Sequence, residues 1–189
     1  LNHTDEEINE YEPLHIGMDF NVMNMTATIN VVRQGAPVQL GELCGVRDTP
    51  EMARLIQERF INNGHPVTVY PDASGQNTSS KSASESDLSI LRKYGIRIDV
   101  NPSNPAVKDR VNAVNAQILN DYGVRNFRIN TNLCPTTTES FEQQAYDRNG
   151  EPDKTTGHDH TMDAQGYFLV KRFPIKSTAN RQTTMTGLL

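Results

Sequence analysis

Three strand-like segments follow one another in the first part of the chain, and this run limits its fold more than any other feature. Apolar and polar residues alternate over residues 15–22, and further strand signals follow at 27–31 and 38–46. A Gln-Gly-Ala-Pro turn separates the last two. Such short connections leave no room for a helix, so consecutive strands must run antiparallel. The chain is therefore predicted to begin with an antiparallel meander of three strands.

After residue 46 the hydrophobic period changes to that of helices. Thr49 and Pro50 indicate a helix start, with Thr49 expected as the N-cap, and Thr136 to Glu139 matches a capping box. The order of elements βββαβαβαβαα predicts an α/β fold with one mixed sheet of five or six strands. In that sheet, parallel strands joined by crossover connections extend the meander, and helices flank the sheet. The later strands are expected at 67–70, 96–100 and 127–129, and the later helices near 84–94, 107–119, 136–146 and 157–173.

Length and composition exclude several classes of protein. The 189 residues suffice for one domain with a buried core, and no apolar stretch approaches the length that spans a membrane. Two cysteines, Cys44 and Cys134, cannot build a disulfide framework, so a reducing compartment is expected. The net charge of −5 argues against a protein that merely coats nucleic acid. It does not exclude an enzyme that acts on nucleic acid.

Changes in composition divide the chain into three parts. Residues 1–13 are acidic and are predicted to be a solvated linker. Residues 14–173 carry the strand and helix signals and are predicted to form the domain. Residues 174–189 are polar and basic and are expected to be a flexible tail. Within the domain, the Ser-rich stretch 73–86 is interpreted as a loop that either contacts a ligand or stays disordered.

Carboxylates from distant parts of the sequence are expected to meet. Asp19 lies in a strand on the face opposite the apolar residues, where a charge is costly unless something binds it. Asp72 directly follows a strand, the position at which α/β folds place ligand sites. Asp159 and Asp163 are four residues apart and share one helix face, and Asp163 also shares a face with Tyr167. These carboxylates could therefore converge on one site.

Converging carboxylates are typical of sites for hard divalent cations, which prefer oxygen ligands. Two such ions about 4 Å apart can stabilise the attacking and leaving oxygens of a phosphodiester. Each acid also has a simpler explanation that the pattern leaves open. Asp19 could be a solvated strand residue, Asp72 a turn residue, and Asp159 an acid that stabilises a helix N-terminus.

Four motifs follow one another along the chain. They are Gly-Met-Asp-Phe-Asn at 17–21, Tyr-Pro-Asp-Ala-Ser-Gly at 70–75, Lys-Asp-Arg-Val-Asn at 108–112 and Gly-His-Asp-His-Thr-Met-Asp-Ala at 157–164. With these motifs in this order, the chain resembles the C-terminal nuclease domain of the large terminase subunit of tailed bacteriophages, above all the headful-packaging, short-tailed type. The resemblance covers about residues 14–173 and implies a ribonuclease H-like fold.

The resemblance implies roles for the residues in these motifs. Asp19, Asp72 and Asp163 match the catalytic acids of the first strand, fourth strand and final helix, which hold two ions of Mg²⁺ or Mn²⁺. His160 matches a histidine beside the last acid and would be an auxiliary metal ligand or a proton-transfer group. Asp159 would be an additional metal ligand. Many members of the wider fold have Glu where this chain has Asp72, so a looser hold on the second ion is expected.

Basic residues are expected to contact the phosphate backbone of DNA. By the resemblance, Lys108 and Arg110 would contact phosphate or stabilise negative charge in the transition state. Lys81, in the Ser-rich loop, is a further candidate for DNA binding. A solvated helix face is the alternative explanation for Lys108 and Arg110.

The resemblance implies an endonuclease that cuts concatemeric viral double-stranded DNA at the start and end of packaging, with little sequence specificity. No Gly-x4-Gly-Lys-Ser/Thr loop occurs in the chain, so residues 1–13 are interpreted as the linker from an ATPase domain. The expected partners are the small terminase subunit and the portal, in the host cytoplasm, and the isolated domain is expected to be a monomer. Two alternatives remain: another ribonuclease H-like nuclease such as a junction resolvase, and a non-catalytic module that docks on the portal or small subunit.

Overall fold

The computed structural model describes residues 1–21, 23–76, 86–145 and 157–175. Its strands are β1 (Leu14–Asp19), β2 (Met25–Arg33), β3 (Ala36–Val46), β4 (Val67–Pro71), β5 (Arg97–Ile98) and β6 (Arg128–Ile129). Its α-helices are α1 (Thr49–Arg59), α2 (Asp87–Lys93), α3 (Val107–Ile118), α4 (Pro135–Gln143) and α5 (Asp159–Arg172). None of the helices within these ranges is long and apolar enough to cross a membrane.

The strands form one mixed sheet in the order β5-β4-β1-β2-β3-β6. β1, β2 and β3 are antiparallel neighbours, and β4, β5 and β6 join as parallel strands. The β2–β3 connection is a two-residue turn in which Gln34 and Gly35 both have positive φ, the geometry that suits the twist of a hairpin. The predicted meander and the predicted mixed α/β sheet are confirmed.

The two faces of the sheet bury different sets of residues. Ile16 and Met18 of β1 belong to an aliphatic core with Met52 and Ile56 of α1, and α2 packs in the same layer. On the opposite face α5 crosses β1, β2 and β4, and α3 packs against α5. Strand alternation therefore places Asp19 on the α5 face, as the sequence pattern predicts.

Both predicted helix N-caps differ from those observed. Asp48, one residue before Thr49, caps α1 by accepting a hydrogen bond from the N–H of Glu51. α4 begins at Pro135 without a side-chain cap of its own, and Glu42 of β3 accepts the N–H groups of Thr136 and Thr137 instead. A partner from another strand supplies this cap, so a search for a local capping box misses it.

Residues 1–13 are not a freely solvated segment. The N–H of Thr4 donates to the carbonyl oxygen of Ile129, and the N–H of Ile129 donates to that of Asn2, which extends the sheet beyond β6. Arg33 of β2 donates to Glu6 and to Glu12 at 2.5 to 2.9 Å. Charge complementarity with Arg33 thus holds the acidic segment on the domain. Its expected link to an ATPase domain stays a prediction, as does the tail, of which residues 176–189 lie outside the described ranges.

Candidate active site

Three elements bring the predicted acids to one cleft. Asp19 is the last residue of β1, and Asp72 follows β4, with its N–H donating to the carbonyl oxygen of Met18 at 3.0 Å. Asp159 and Asp163 lie in the first two turns of α5. The side chains face an open cleft of about 810 Å³, which His160 and Arg110 also line. The parallel pairing of β1 with β4 explains why the two strand-end acids are neighbours.

The close approach of α5 to β1 depends on Gly17. A Cβ atom at this position would overlap the carbonyl oxygen of Ala164, so any side chain would force the helix away from the strand. A buried pair of amides fixes the helix further along: Gln165 donates to Asn30 at 2.9 Å and Asn30 donates back at 3.1 Å. These contacts set the position of α5 and hence of Asp163 relative to Asp19.

His160 lies between Asp19 and Asn21. Its Nδ1 lies 3.1 Å from Oδ2 of Asp19, and the side-chain nitrogen of Asn21 lies 3.0 Å from its Nε2. The same Asn21 nitrogen also lies 3.3 Å from Nδ1, so its contact does not assign the ring proton. An ionised carboxylate only accepts, so Nδ1 donates to Asp19. The histidine therefore orients Asp19.

Asp19 is a buried carboxyl group in an acidic environment. Burial raises its pKa to about 6, and the charges of Asp163 and Asp72 act in the same direction. The hydrogen bond from His160 opposes this shift. The pKa is raised because burial and the neighbouring negative charges disfavour the ionised form of Asp19.

Asp163 is paired with Arg110 of α3. Nη2 of Arg110 donates to Oδ1 of Asp163 at 2.9 Å, and the two side chains are only 7% and 16% exposed. Nη1 donates to the carbonyl oxygen of Pro105 at 2.9 Å, and the guanidinium lies over the Tyr167 ring, 4.7 Å from its centroid. Arg110 therefore brings a positive charge to the acids from inside the cleft.

Asp72 is held by two donors. Its Oδ1 accepts from the side-chain nitrogen of Asn104 and from the N–H of Ser74, both at 2.6 Å. The side-chain oxygen of Asn104 accepts the N–H of Ala73 at 2.7 Å. Asn104 lies in the loop before α3 and also lines the cleft.

The donor set fits a hard divalent cation. The cleft offers aspartate oxygens and an imidazole, and its lining in the described ranges includes no thiol. Within those ranges, however, no three acidic, histidine or cysteine side chains are grouped closely enough to hold an ion as they stand. Arg110 and Asn104 instead bind Asp163 and Asp72. A cation in the cleft would have to share these carboxylates with their present donors.

Two of the three basic residues predicted to contact DNA lie in the described structure, and they do not share one surface. Lys108 is exposed on the first turn of α3. Arg110 is buried and directed into the cleft rather than onto an outer surface. Lys81 lies outside the described residues. All three DNA-binding roles stay predictions, as do the metal-binding and catalytic roles of the aspartates and His160.

Sequence reasoning did not assign Asn21 and Asn104. Asn21 stands two residues after Asp19 inside one of the quoted motifs, so its position was a usable signal. Asn104 stands between two prolines in a segment that resembles an ordinary loop, and only the fold shows that it reaches Asp72.

Residues 16–172 match the family model described as terminase RNaseH-like domain. The large terminase nuclease domain of bacteriophage SPP1 with bound Mn is similar in structure, with a TM-score of 0.57, 18% identity, and coverage of 88% of this chain and 94% of that one. The large terminase nuclease domain of phage P22 is also similar, with a TM-score of 0.63 and 15% identity. That match covers 89% of this chain and 86% of the P22 domain. At these identities the similarity shows the fold.

A longer protein matches over part of its length. The large terminase of thermophilic bacteriophage D6E in complex with ATP-γ-S has a TM-score of 0.65 and 19% identity, and the match covers 90% of this chain and 42% of that one. The chain thus spans about two fifths of the D6E protein. A comparison with curated proteins found no match.

Proposed function

Since this chain belongs to the family of terminase RNaseH-like domains, we propose that it is a metal-dependent endonuclease that cuts concatemeric viral double-stranded DNA during genome packaging. The cuts would be those that start packaging and those that end it when the head is full. The observation that carries the proposal is the convergence of Asp19, Asp72 and Asp163 from β1, the end of β4 and α5 on one open cleft.

The cleft has the properties that phosphodiester hydrolysis requires. Asp19, Asp72 and Asp163 would hold two ions of Mg²⁺ or Mn²⁺, with Asp159 as a further ligand. Bound ions of this kind supply an activated water and stabilise charge on the attacking and leaving oxygens. Structures of related nuclease domains hold Mn, Mg or cobalt, which supports a divalent ion here. The raised pKa of Asp19 agrees, because a cation would relieve the repulsion among the acids.

Other residues of the chain would hold and orient the reacting groups. His160 would orient Asp19 through Nδ1 and, as a proton-transfer group, would take up or release a proton at its other ring nitrogen, Nε2. Arg110 brings a fixed positive charge to the edge of the cleft through its bond to Asp163. That charge would stabilise the additional negative charge that develops on phosphate.

The proposed substrate and partners follow from the same family. A cleft that contacts the phosphodiester rather than base edges would cut with little sequence specificity. With a net charge of −5, the domain would bind duplex DNA weakly through a few cations such as Lys108 and Lys81. In the infected host cytoplasm it would act together with an ATPase domain, the small terminase subunit and the portal. The similarity to part of the D6E large terminase, solved with ATP-γ-S, supports the ATPase domain.

Cleavage of supercoiled plasmid by the purified chain tests the proposal. We expect nicking and linearisation with Mn²⁺ or Mg²⁺ and none with EDTA. Asp163→Asn should reduce the rate by more than about 100-fold, because even partners of metal ligands are commonly worth 10- to 100-fold. Asp109→Asn, an exposed acid of α3 outside the cleft, is the matched control and should cut like the parent.

Full activity of Asp163→Asn, or cleavage that persists in EDTA, would contradict the proposed site. A strong preference for four-way junctions over linear duplex would favour a junction resolvase. Absence of cleavage together with absence of Mn²⁺ binding would favour a docking module.

A further inference from the structure

Asp72 has the least support from its own strand among the three acids. It lies beyond the end of β4 and directly before a short 3₁₀ turn at Ala73–Gln76. Within the described residues, the hydrogen bonds of its carboxylate come from outside the sheet. The side chain is held instead by Asn104, whose amide donates to Oδ1 at 2.6 Å, and by the N–H of Ser74.

The contact with Asn104 is reciprocal. While the amide nitrogen donates to Asp72, the amide oxygen accepts the N–H of the next residue, Ala73, at 2.7 Å. A side chain must therefore present a donor and an acceptor together, which an amide does and a carboxylate or hydrocarbon of the same size does not. The first bond holds the Asp72 carboxylate, and the second fixes the Asn104 amide to the backbone beside it. In the part of the chain that the structure describes, the hydrogen bonds to the carboxylate go to Oδ1 rather than Oδ2.

Asn104 is itself held in place independently of Asp72. The following residue is Pro105, which restricts the backbone of Asn104 to extended conformations. The carbonyl oxygen of Pro105 accepts from Nη1 of Arg110 at 2.9 Å. At the start of the loop, Asn101 accepts from Nζ of Lys171 on α5 at 3.0 Å. The amide is thus presented to Asp72 by a loop attached to α3 and α5.

We infer that Asn104 is a positioning residue that fixes the Asp72 carboxylate and so sets the affinity of the cleft for divalent metal. This inference rests on the proposed function, which makes Asp72 a metal ligand. Outer-shell donors of this kind orient ligating carboxylates and typically change metal affinity by 10- to 100-fold.

Titration of the DNA-free domain with Mn²⁺, followed by calorimetry or by the electron paramagnetic resonance signal of free Mn²⁺, measures this affinity without catalysis. Asn104→Leu should weaken Mn²⁺ binding by 10- to 100-fold. Ser103→Leu is the matched control, because Ser103 is an exposed residue of the same loop that does not line the cleft. It should bind Mn²⁺ like the parent, and thermal unfolding in EDTA should show both variants folded.

A double-mutant cycle separates positioning from a general effect on the loop. If Asn104 acts through Asp72, Asn104→Leu should change Mn²⁺ affinity less than 2-fold in a chain that already carries Asp72→Ala. The same loss in both backgrounds would overturn the inference, since a structural defect does not depend on Asp72.

The same Mn²⁺ titrations distinguish a failure of this inference from a failure of the proposed function. Parent-like Mn²⁺ binding by Asn104→Leu, with binding weakened in Asp72→Ala, would overturn the positioning role alone. Absence of Mn²⁺ binding by the parent chain would overturn the metal site and this inference with it.

Discussion

At the scale of single residues, three acids of the cleft are each paired with a neighbour from another part of the chain. Asp19 is paired with His160, Asp163 with Arg110 and Asp72 with Asn104. The pKa of Asp19 is still raised, chiefly by burial and further by the charges of Asp163 and Asp72. A site of this kind is expected to lower the stability of the metal-free chain, because function rather than folding keeps the charges together.

Asp19→Asn should therefore stabilise the metal-free domain at pH 8. The pKa of Asp19 is about 6 in the folded chain against an ordinary value of 3.8. The folded state thus holds this proton more tightly than the unfolded state, and stability falls as the pH rises from about 4 to 6 and the carboxyl ionises. The variant avoids that loss, which corresponds to about 3 kcal/mol at pH 8 and to almost nothing below about pH 3.

Urea unfolding in EDTA at several pH values measures this difference. Asp109→Asn, at an exposed site, should change the unfolding free energy by less than about 0.5 kcal/mol at every pH. A stabilisation by Asp19→Asn that is the same at pH 4 and pH 8 would show that repulsion at Asp19 is not its cause.

At the scale of elements, the position of α5 on the sheet decides whether the site exists. The helix contributes Asp159, His160 and Asp163, and it reaches the end of β1 only because residue 17 has no side chain. Small displacements of α5 would separate Asp163 from Asp19 while leaving every catalytic side chain present. The packing of this helix is thus as important for the proposed activity as the acids themselves.

Gly17→Ala should both destabilise the domain and reduce metal-dependent cleavage. The new methyl group would overlap the carbonyl oxygen of Ala164, and overpacking against backbone costs about 3 kcal/mol or more. Gly41→Ala, in β3 of the same sheet, is the matched control because its Cβ would make an ordinary 3.4 Å contact with Ile29. Chemical denaturation and plasmid cleavage measure the two effects. Parent-like behaviour of Gly17→Ala would show that α5 tolerates displacement from β1.

At the scale of the whole molecule, the acidic N-terminal segment is part of the folded domain. It adds main-chain hydrogen bonds beside β6 and surrounds Arg33, a side chain that is only 17% exposed, with carboxylates. Arg33 holds the pKa of Glu12 below its usual value. This contribution to stability is present at neutral pH and is lost as the pH falls through the pKa of folded Glu12.

Removal of residues 1–12 should lower the unfolding free energy at pH 7 by about 4 kcal/mol, since two backbone bonds and two ion pairs of Arg33 are each worth about 1 kcal/mol. The loss should become smaller as the pH falls through the lowered pKa of folded Glu12, because a protonated glutamate no longer forms an ion pair with Arg33. Guanidinium is unsuitable here because it screens ion pairs, so urea unfolding is the measurement. An unchanged stability at pH 7 would mean that the segment is a free linker after all.

Much of the architecture could be predicted from local patterns. Strand alternation between residues 14 and 46 predicted the meander, and the change to helical periodicity predicted crossovers and a mixed sheet, because these patterns reflect which face of an element is buried. The same alternation placed Asp19 opposite the apolar face. Capping was predicted less well: Asp48 rather than Thr49 caps α1, and Glu42 from β3 serves α4.

The sequence by itself determined the order of elements, the face on which Asp19 lies and the candidate acids at 72, 159 and 163, since periodicity and position in an element are local properties. Only the tertiary structure decided that Asn104 binds Asp72, that Arg110 faces inward to Asp163, and that residues 1–12 close around Arg33. These contacts join side chains that are 21 to 53 residues apart. Such distant pairs follow from how helices and loops pack across the sheet, and no short-range pattern encodes that packing.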